Sequence, residues 1–146
     1  MPNNNRNDRI KGKRPAASAD KFAQPTPVRD SNQATPLFCL NHLHPDYDVK
    51  ALEDKEKQAQ LALTMHKCAQ MRWIDIHQAR RHGAGTESIP ADQILAPIPP
   101  KFADQDKFTA FRYRGLLPMV GVRINEVFHV LWIERQFGEV YDHGSS

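Results

Sequence analysis

Cysteine is scarce in this 146-residue chain, which holds only Cys39 and Cys68. Two thiols cannot build a disulfide framework, and a reducing setting is the default for such a chain. Long apolar runs are missing too. None approaches the roughly 20 residues that a membrane helix needs, and the N-terminal stretch has no apolar segment of signal-peptide length. Secretion is therefore not expected, and a cytoplasmic location is. There is no CxxC, no HExxH and no glycine-rich phosphate loop. Gly83-Ala84-Gly85 follows a helical segment, whereas a nucleotide-binding turn follows a strand. No cofactor is expected.

The length suits one domain and leaves little room for a second. Hydrophobic residues make up 40% and charged residues 25%, enough for most of the chain to fold. A mean hydropathy of −0.64 and eleven prolines point to a part that does not. That part is residues 1–36, rich in Asn, Pro, Ala and Ser. Seven Lys/Arg there face three Asp, a net of +4, while the other 110 residues carry 13 basic and 14 acidic side chains, a net of −1. The basic character belongs to the tail, and the domain expected over 37–146 is nearly neutral. Composition predicts a disordered tail that either solubilises the protein or tracks a nucleic-acid backbone electrostatically.

Ordered sequence is expected from Pro36-Leu-Phe-Cys-Leu40, followed by a turn-rich connector over 41–49. Leu52, Ala59, Leu61, Ala62, Met65, Cys68 and Ala69 recur at helical spacing, which predicts a helix from about Val49 to Met71 with Asp48 as N-cap. A short second helix is expected over Trp73–Arg81, stopped by Gly83 and Gly85. Four prolines punctuate residues 86–107, predicting an irregular connector or a lone edge strand. From Phe108, β-branched and aromatic residues dominate in runs broken at Gly115, Asn125-Glu126 and about Arg135, with Glu139-Val-Tyr-Asp closing the series. Val127–Ile133 is apolar at nearly every position and is expected as the central strand. The expected fold class is α+β, with two N-terminal helices packed on one face of a three- to four-stranded antiparallel sheet.

The strand region holds the side chains that could carry chemistry. Arg112 and Arg114 stand two apart, so a regular strand would project both from one face. Arg123 lies near the end of the next strand, His129 interrupts the apolar run, and Arg135, Tyr141, Asp142 and His143 follow. Arginine binds phosphate oxygens in bidentate fashion and stabilises a charged transition state. Histidine and tyrosine exchange protons. On an antiparallel sheet the same charges also suit a merely solvated face, His129 a satisfied core position, and Tyr141 an anchoring ring. Cys39-x2-His42-x-His44 and His66-x-Cys68 offer zinc-type ligands, but Cys68 belongs to the apolar helix stripe, and no metal is expected. Neither cysteine stands in an activating motif, which argues against a Cys-His nucleophile.

Phe111-Arg-Tyr-Arg-Gly115, Val120-Gly-Val-Arg123, Val127-Phe-His-Val-Leu-Trp-Ile133 and Val140-Tyr141, taken in that order, resemble the C-terminal half of RelE/ParE-like toxins. The resemblance spans about residues 50–143 and is strongest over 108–143. It also extends to a group of small bacterial and phage proteins with Trp73-x2-Ile76 and Arg81-His-Gly83 ahead of the strands. It implies a RelE-like fold and the toxin component of a toxin-antitoxin system. Its RelE branch implies a metal-independent mRNA endoribonuclease acting with the ribosome through 2′-hydroxyl attack. Arg112, Arg114 and Arg123 would bind substrate phosphate, Arg135 would stabilise the transition state, and Tyr141 or His143 would transfer protons. An antitoxin protein would be the partner, with ribosome and mRNA as further partners. The ParE branch implies poisoning of DNA gyrase instead. The chain has Leu117-Pro118 where many relatives carry an arginine, and its domain charge is −1. Both features favour the alternative, a non-catalytic nucleic-acid- or protein-binding module with the same fold.

Overall fold

The computed structural model describes residues 29–79 and 86–144. Residues 1–28, which hold most of the expected tail, and residues 80–85, with Arg81, Gly83 and Gly85, lie outside the described residues. Residues 29–36, assigned to the tail on composition, belong to the fold. Ser31–Gln33 form a 3-10 turn capped by Asp30, whose carboxylate accepts from the Asn32 amide at 3.0 Å. The Ala34 carbonyl accepts from the Trp73 amide at 2.9 Å.

The architecture is α+β. Strand β1 (Leu37–Cys39) leads through a connector to helices α1 (Lys55–Ala69) and α2 (Trp73–Gln78). Strands β2 (Thr86–Pro90), β3 (Lys107–Arg114), β4 (Leu117–Ile124) and β5 (Val127–Ile133) complete a five-stranded sheet of order β1-β5-β4-β3-β2. The sheet is mixed, where a purely antiparallel one was expected. β1 runs parallel to β5, with Leu37 opposite Val127 and Cys39 opposite His129. Three residues show no usable alternation, so nothing in β1 alone marks it as a strand. β1 occupies the outer edge of β5, so β4 takes the middle place that β5 was expected to hold. The 86–90 segment is an edge strand, where its Pro90 is tolerated. Val140-Tyr141 makes a single antiparallel bridge, between Tyr141 and Ile94, and is not a strand of the sheet; the fourth antiparallel strand is β2.

α1 starts later than the periodicity predicts. Glu53 adopts a left-handed φ of 57°, which a right-handed helix cannot pass through. Asp48 therefore caps only a local turn, accepting from the Ala51 amide at 2.7 Å. Asp54 caps the helix, accepting from the Glu56 and Lys57 amides at 2.9 and 3.2 Å. Those bonds, the Lys57 one foremost, hold its carboxyl below the usual carboxylate range.

The sheet is covered on both sides. On one side Leu61 and Cys68 of α1 and Trp73 and Ile76 of α2 pack on Phe111, Met119, Phe128 and Ile133. On the other, the irregular segments around Ala96, Phe102 and Val140-Tyr141 pack on Phe108, Val120, Leu131 and Trp132. Each of these large side chains contributes about 1.5–3 kcal/mol by leaving water. β5 reads as continuously apolar for a second reason. The β4–β5 register slips between Val120 and Gly121, which pair with Trp132 and Val130, and leaves Leu131 extra. The bulge turns Leu131 and Trp132 to one face, between Val130 and Ile133 on the other. Gly121 is required there, because a Cβ would lie 1.9 Å from the His129 carbonyl oxygen. Asn125, at φ 55°, turns the β4–β5 hairpin as expected. Among the described residues no helix is long and apolar enough to cross a membrane.

Candidate functional site

The sequence-predicted residues separate into four places. A second bulge decides the first separation. The β3–β4 register shifts between Arg112 and Arg114, so they do not act from one face as a regular strand would require. Arg112 pairs with Glu87 of β2 at 3.9 Å, beside Tyr141, while Arg114 reaches Glu56 of α1 at 3.7 Å, on the helical side.

Arg123 is turned into its own fold. Its guanidinium lies 4.3 Å from the Trp73 ring centre. It donates to the Asn125 carbonyl at 2.6 Å, to the Asn32 side-chain oxygen at 2.8 Å and to Ser31 Oγ at 3.2 Å. It thus ties the hairpin, α2 and the residue 31–33 turn together. Arg135 closes on Glu139, which also accepts from the Arg135 backbone amide at 3.0 Å. This pair shapes the loop after β5.

Tyr141 and His143 do come together, around a residue that spacing arguments missed. Glu134 directly follows β5, with its side chain fully buried. One carboxylate oxygen accepts from the Val140 amide at 2.9 Å, and the other lies 2.7 Å from His143 Nε2. The His143 ring stacks on Tyr141 and on Phe137, with centroids 3.9 and 4.0 Å apart and both interplanar angles 28°. The Tyr141 hydroxyl donates to Glu87 at 3.4 Å. Beneath, the Tyr113 hydroxyl donates to the Glu134 backbone carbonyl at 2.6 Å. The available signal was a carboxylate closing an apolar run, with a histidine shortly after it. Glu87 was hidden in a segment that its prolines marked as irregular.

Electrostatics separates proton donors from bases. Burial, and then the charge of Glu134, push the Tyr113 phenol up to about 12. Burial, and then the charge of Glu87, raise the Tyr141 phenol as well. Both stay protonated near neutral pH. They donate hydrogen bonds and are unsuited to act as general bases there, because such a base needs a pKa near the working pH. Tyr141 is in addition only 2% exposed. What remains is a largely buried, carboxylate-oriented imidazole, with Arg112 three contacts away through Tyr141 and Glu87.

The zinc-type residues do not assemble. Among the described residues no group of three or more His, Cys, Asp or Glu is placed to hold a metal ion. Burial raises the Cys68 thiol, as suits a core residue rather than a nucleophile. Comparison of the chain with protein-family models, with curated proteins and with solved structures finds no match in any of the three.

Proposed function

We propose that this protein is a non-catalytic binding module that engages a partner protein at the open β1 edge of its sheet. The observation that carries the reading is the inward commitment of the candidate catalytic set. Arg123 and Arg135 are bonded to their own chain, Tyr141 is buried and held protonated, and His143 is closed on Glu134. The choice of edge follows from the layering. Both sheet faces are covered, so a sheet-mediated contact is left to β1 or β2. At β1 the large apolar side chains Leu37 and Leu40 are 56% and 44% exposed, and an outer strand offers free backbone groups for strand addition. β2 ends in Pro90, which has no amide to donate.

A second reading is favoured by one specific geometry, the 2.7 Å Glu134–His143 pair joined to Arg112 through Tyr141 and Glu87. It is the RelE-like one: an mRNA endoribonuclease toxin restrained by an antitoxin. There His143 would move the proton of an attacking 2′-hydroxyl, Glu134 would orient the imidazole, and Arg112 would meet the phosphate. The experiment that separates the readings is mRNA 5′-end mapping in a translating extract, with and without active ribosomes. The binding reading expects no new ends in either arm. It also expects a Leu37→Asp substitution to abolish partner capture while leaving the fold intact. New ends that need ribosomes and vanish in Arg112→Ala would overturn it in favour of the toxin.

A further inference from the structure

One corner of the molecule concentrates positive and proton-binding groups without an acid to balance them. It lies where the connector after β1 meets the proline-rich segment ahead of β3, over His129 of β5. Lys101 Nζ sits 3.3 Å from His42 Nε2. The His42 ring lies 5.8 Å from that of His129, and both rest on the buried Phe102 ring, at 5.4 and 5.9 Å between centroids. Lys101 also sits 5.8 Å over that ring. His129 Nδ1 is buried and makes no hydrogen bond. Among the described residues no carboxylate comes within ion-pair distance of Lys101, His42 or His129.

The lack of compensation shows in His129. Its imidazole is pushed below the ordinary value by burial first, and then by His42 and Lys101. An isolated surface lysine is well solvated and asks for no partner. An ammonium braced against two imidazoles and an aromatic face is a different case, because each added positive charge in the cluster raises the cost of the others. An anion placed against it would relieve that cost and accept charge-assisted hydrogen bonds.

This corner shares His42 with a groove of about 350 Å³; Lys101 does not line the groove itself but follows its wall residue Pro100 and stands against it through the His42 contact. His42 and His44 line it together with Leu43, Pro45, Pro97 and Ile98, and no carboxylate is among its lining residues. The prolines stiffen two of its walls, so little ordering entropy is left to be lost on binding. The volume falls at the lower end of the range for small-molecule sites, and the mixture of apolar walls with a few polar groups at one end is typical of them.

We propose that this groove binds a small molecule with an anionic head, a carboxylate or a phosphate monoester, set against Lys101 and His42, and an apolar body lying along Leu43, Pro97 and Ile98. The proposal stands apart from the partner-binding reading and from the Glu134–His143 pair.

The test uses the full-length protein labelled with 15N and follows its imidazole and amide signals by NMR at constant ionic strength. The probes are benzoate, phenyl phosphate, benzyl alcohol and inorganic phosphate, each titrated through the millimolar range. Saturable shifts centred on His42 and Lys101 with benzoate or phenyl phosphate are expected, and the tighter of the two identifies the head group. Benzyl alcohol has the ring without the charge, and inorganic phosphate has the charge without the ring. Each is expected to bind at least about tenfold more weakly than the better aromatic anion. Lys101 is exposed, so Lys101→Gln should keep the fold, seen as unchanged amide signals elsewhere, and weaken the anion by about tenfold or more. Any of three results overturns the proposal: no saturable shift with either aromatic anion, equal binding of benzyl alcohol, or unchanged affinity in Lys101→Gln. Equal binding of inorganic phosphate and phenyl phosphate, an adventitious ion only, overturns it as well.

Discussion

Replacing His143 by alanine tests whether the last residues of the domain are a latch or a reactive site. The side chain is 9% exposed and that of Glu134 is not exposed at all, so their contact is made away from water. His143→Ala leaves the Glu134 carboxylate with the Val140 amide alone. Loss of a hydrogen bond to a charged group costs about 1.5–3 kcal/mol. The two ring stacks on Tyr141 and Phe137 add about 0.5–1.5 kcal/mol each beyond their area. The expected loss is therefore about 2.5–6 kcal/mol, a fall in Tm on the order of 10–20 °C for a domain of this size. Trp73 and Trp132 are both fully buried, so urea unfolding followed by tryptophan fluorescence reads the change directly, and an unchanged slope would locate it in the native state. Glu134→Gln combined with His143→Ala removes the stranded charge. The pair should be less destabilised than the sum of the singles by about 1–2 kcal/mol. A loss below about 0.5 kcal/mol in His143→Ala, the scale of an ordinary surface change, would refute the latch. It would leave His143 free for chemistry and strengthen the nuclease reading.

Other outcomes follow from the same geometry. Gly121→Ala forces a Cβ onto the His129 carbonyl, which is backbone and cannot swing away; a loss of at least about 1–3 kcal/mol is expected in chemical denaturation, and wild-type stability would mean that the bulge is absent in solution. Arg123→Ala strips the hydrogen bonds to Asn125, Asn32 and Ser31, the 3.1 Å contact with His77 and the Trp73 contact from an exposed-looking position and should cost about 2–3 kcal/mol, with Arg123→Lys recovering only part; a change confined to RNA binding would instead make Arg123 a substrate contact. His129 binds its proton less readily folded than unfolded, so its contribution to stability is complete above the unfolded pKa of about 6.5 and is lost as pH falls through the lower folded value. The slope of stability against pH just below 6.5 should therefore flatten in His129→Phe, and an identical slope would remove the uncompensated charge from the argument.

The α+β class, the hairpin at Asn125-Glu126 and the three strands from residue 107 to residue 133 were legible in the sequence, because each depends on neighbours along the chain. Alternation, β-branching and a turn residue suffice for a hairpin. The existence of α1 was equally legible from its apolar stripe. Its start was not, because a single left-handed residue, Glu53, moved the cap from Asp48 to Asp54. In the candidate site, Tyr141 and His143 were found from spacing and do meet. Arg112 and Arg114 were placed together by the period of a strand and were parted by one extra residue.

The sequence by itself determined the existence of the two helices and of the three strands from residue 107 to residue 133, the near-neutral charge of the domain outside its basic N-terminal stretch, and most of the side chains able to do chemistry, though neither Glu87 nor Glu134. Only the tertiary structure decided that β1 pairs parallel to β5, that both sheet faces are covered, and that the arginines are divided among Glu87, Glu56, Trp73 and Glu139. It alone placed Glu134 under His143, and Lys101 beside His42 across 59 residues of chain. The reason is range. Propensity and periodicity act over a few residues. Pairing across a sheet, the two bulges, and the burial that fixes which charges are spent depend on groups far apart in the chain meeting in space.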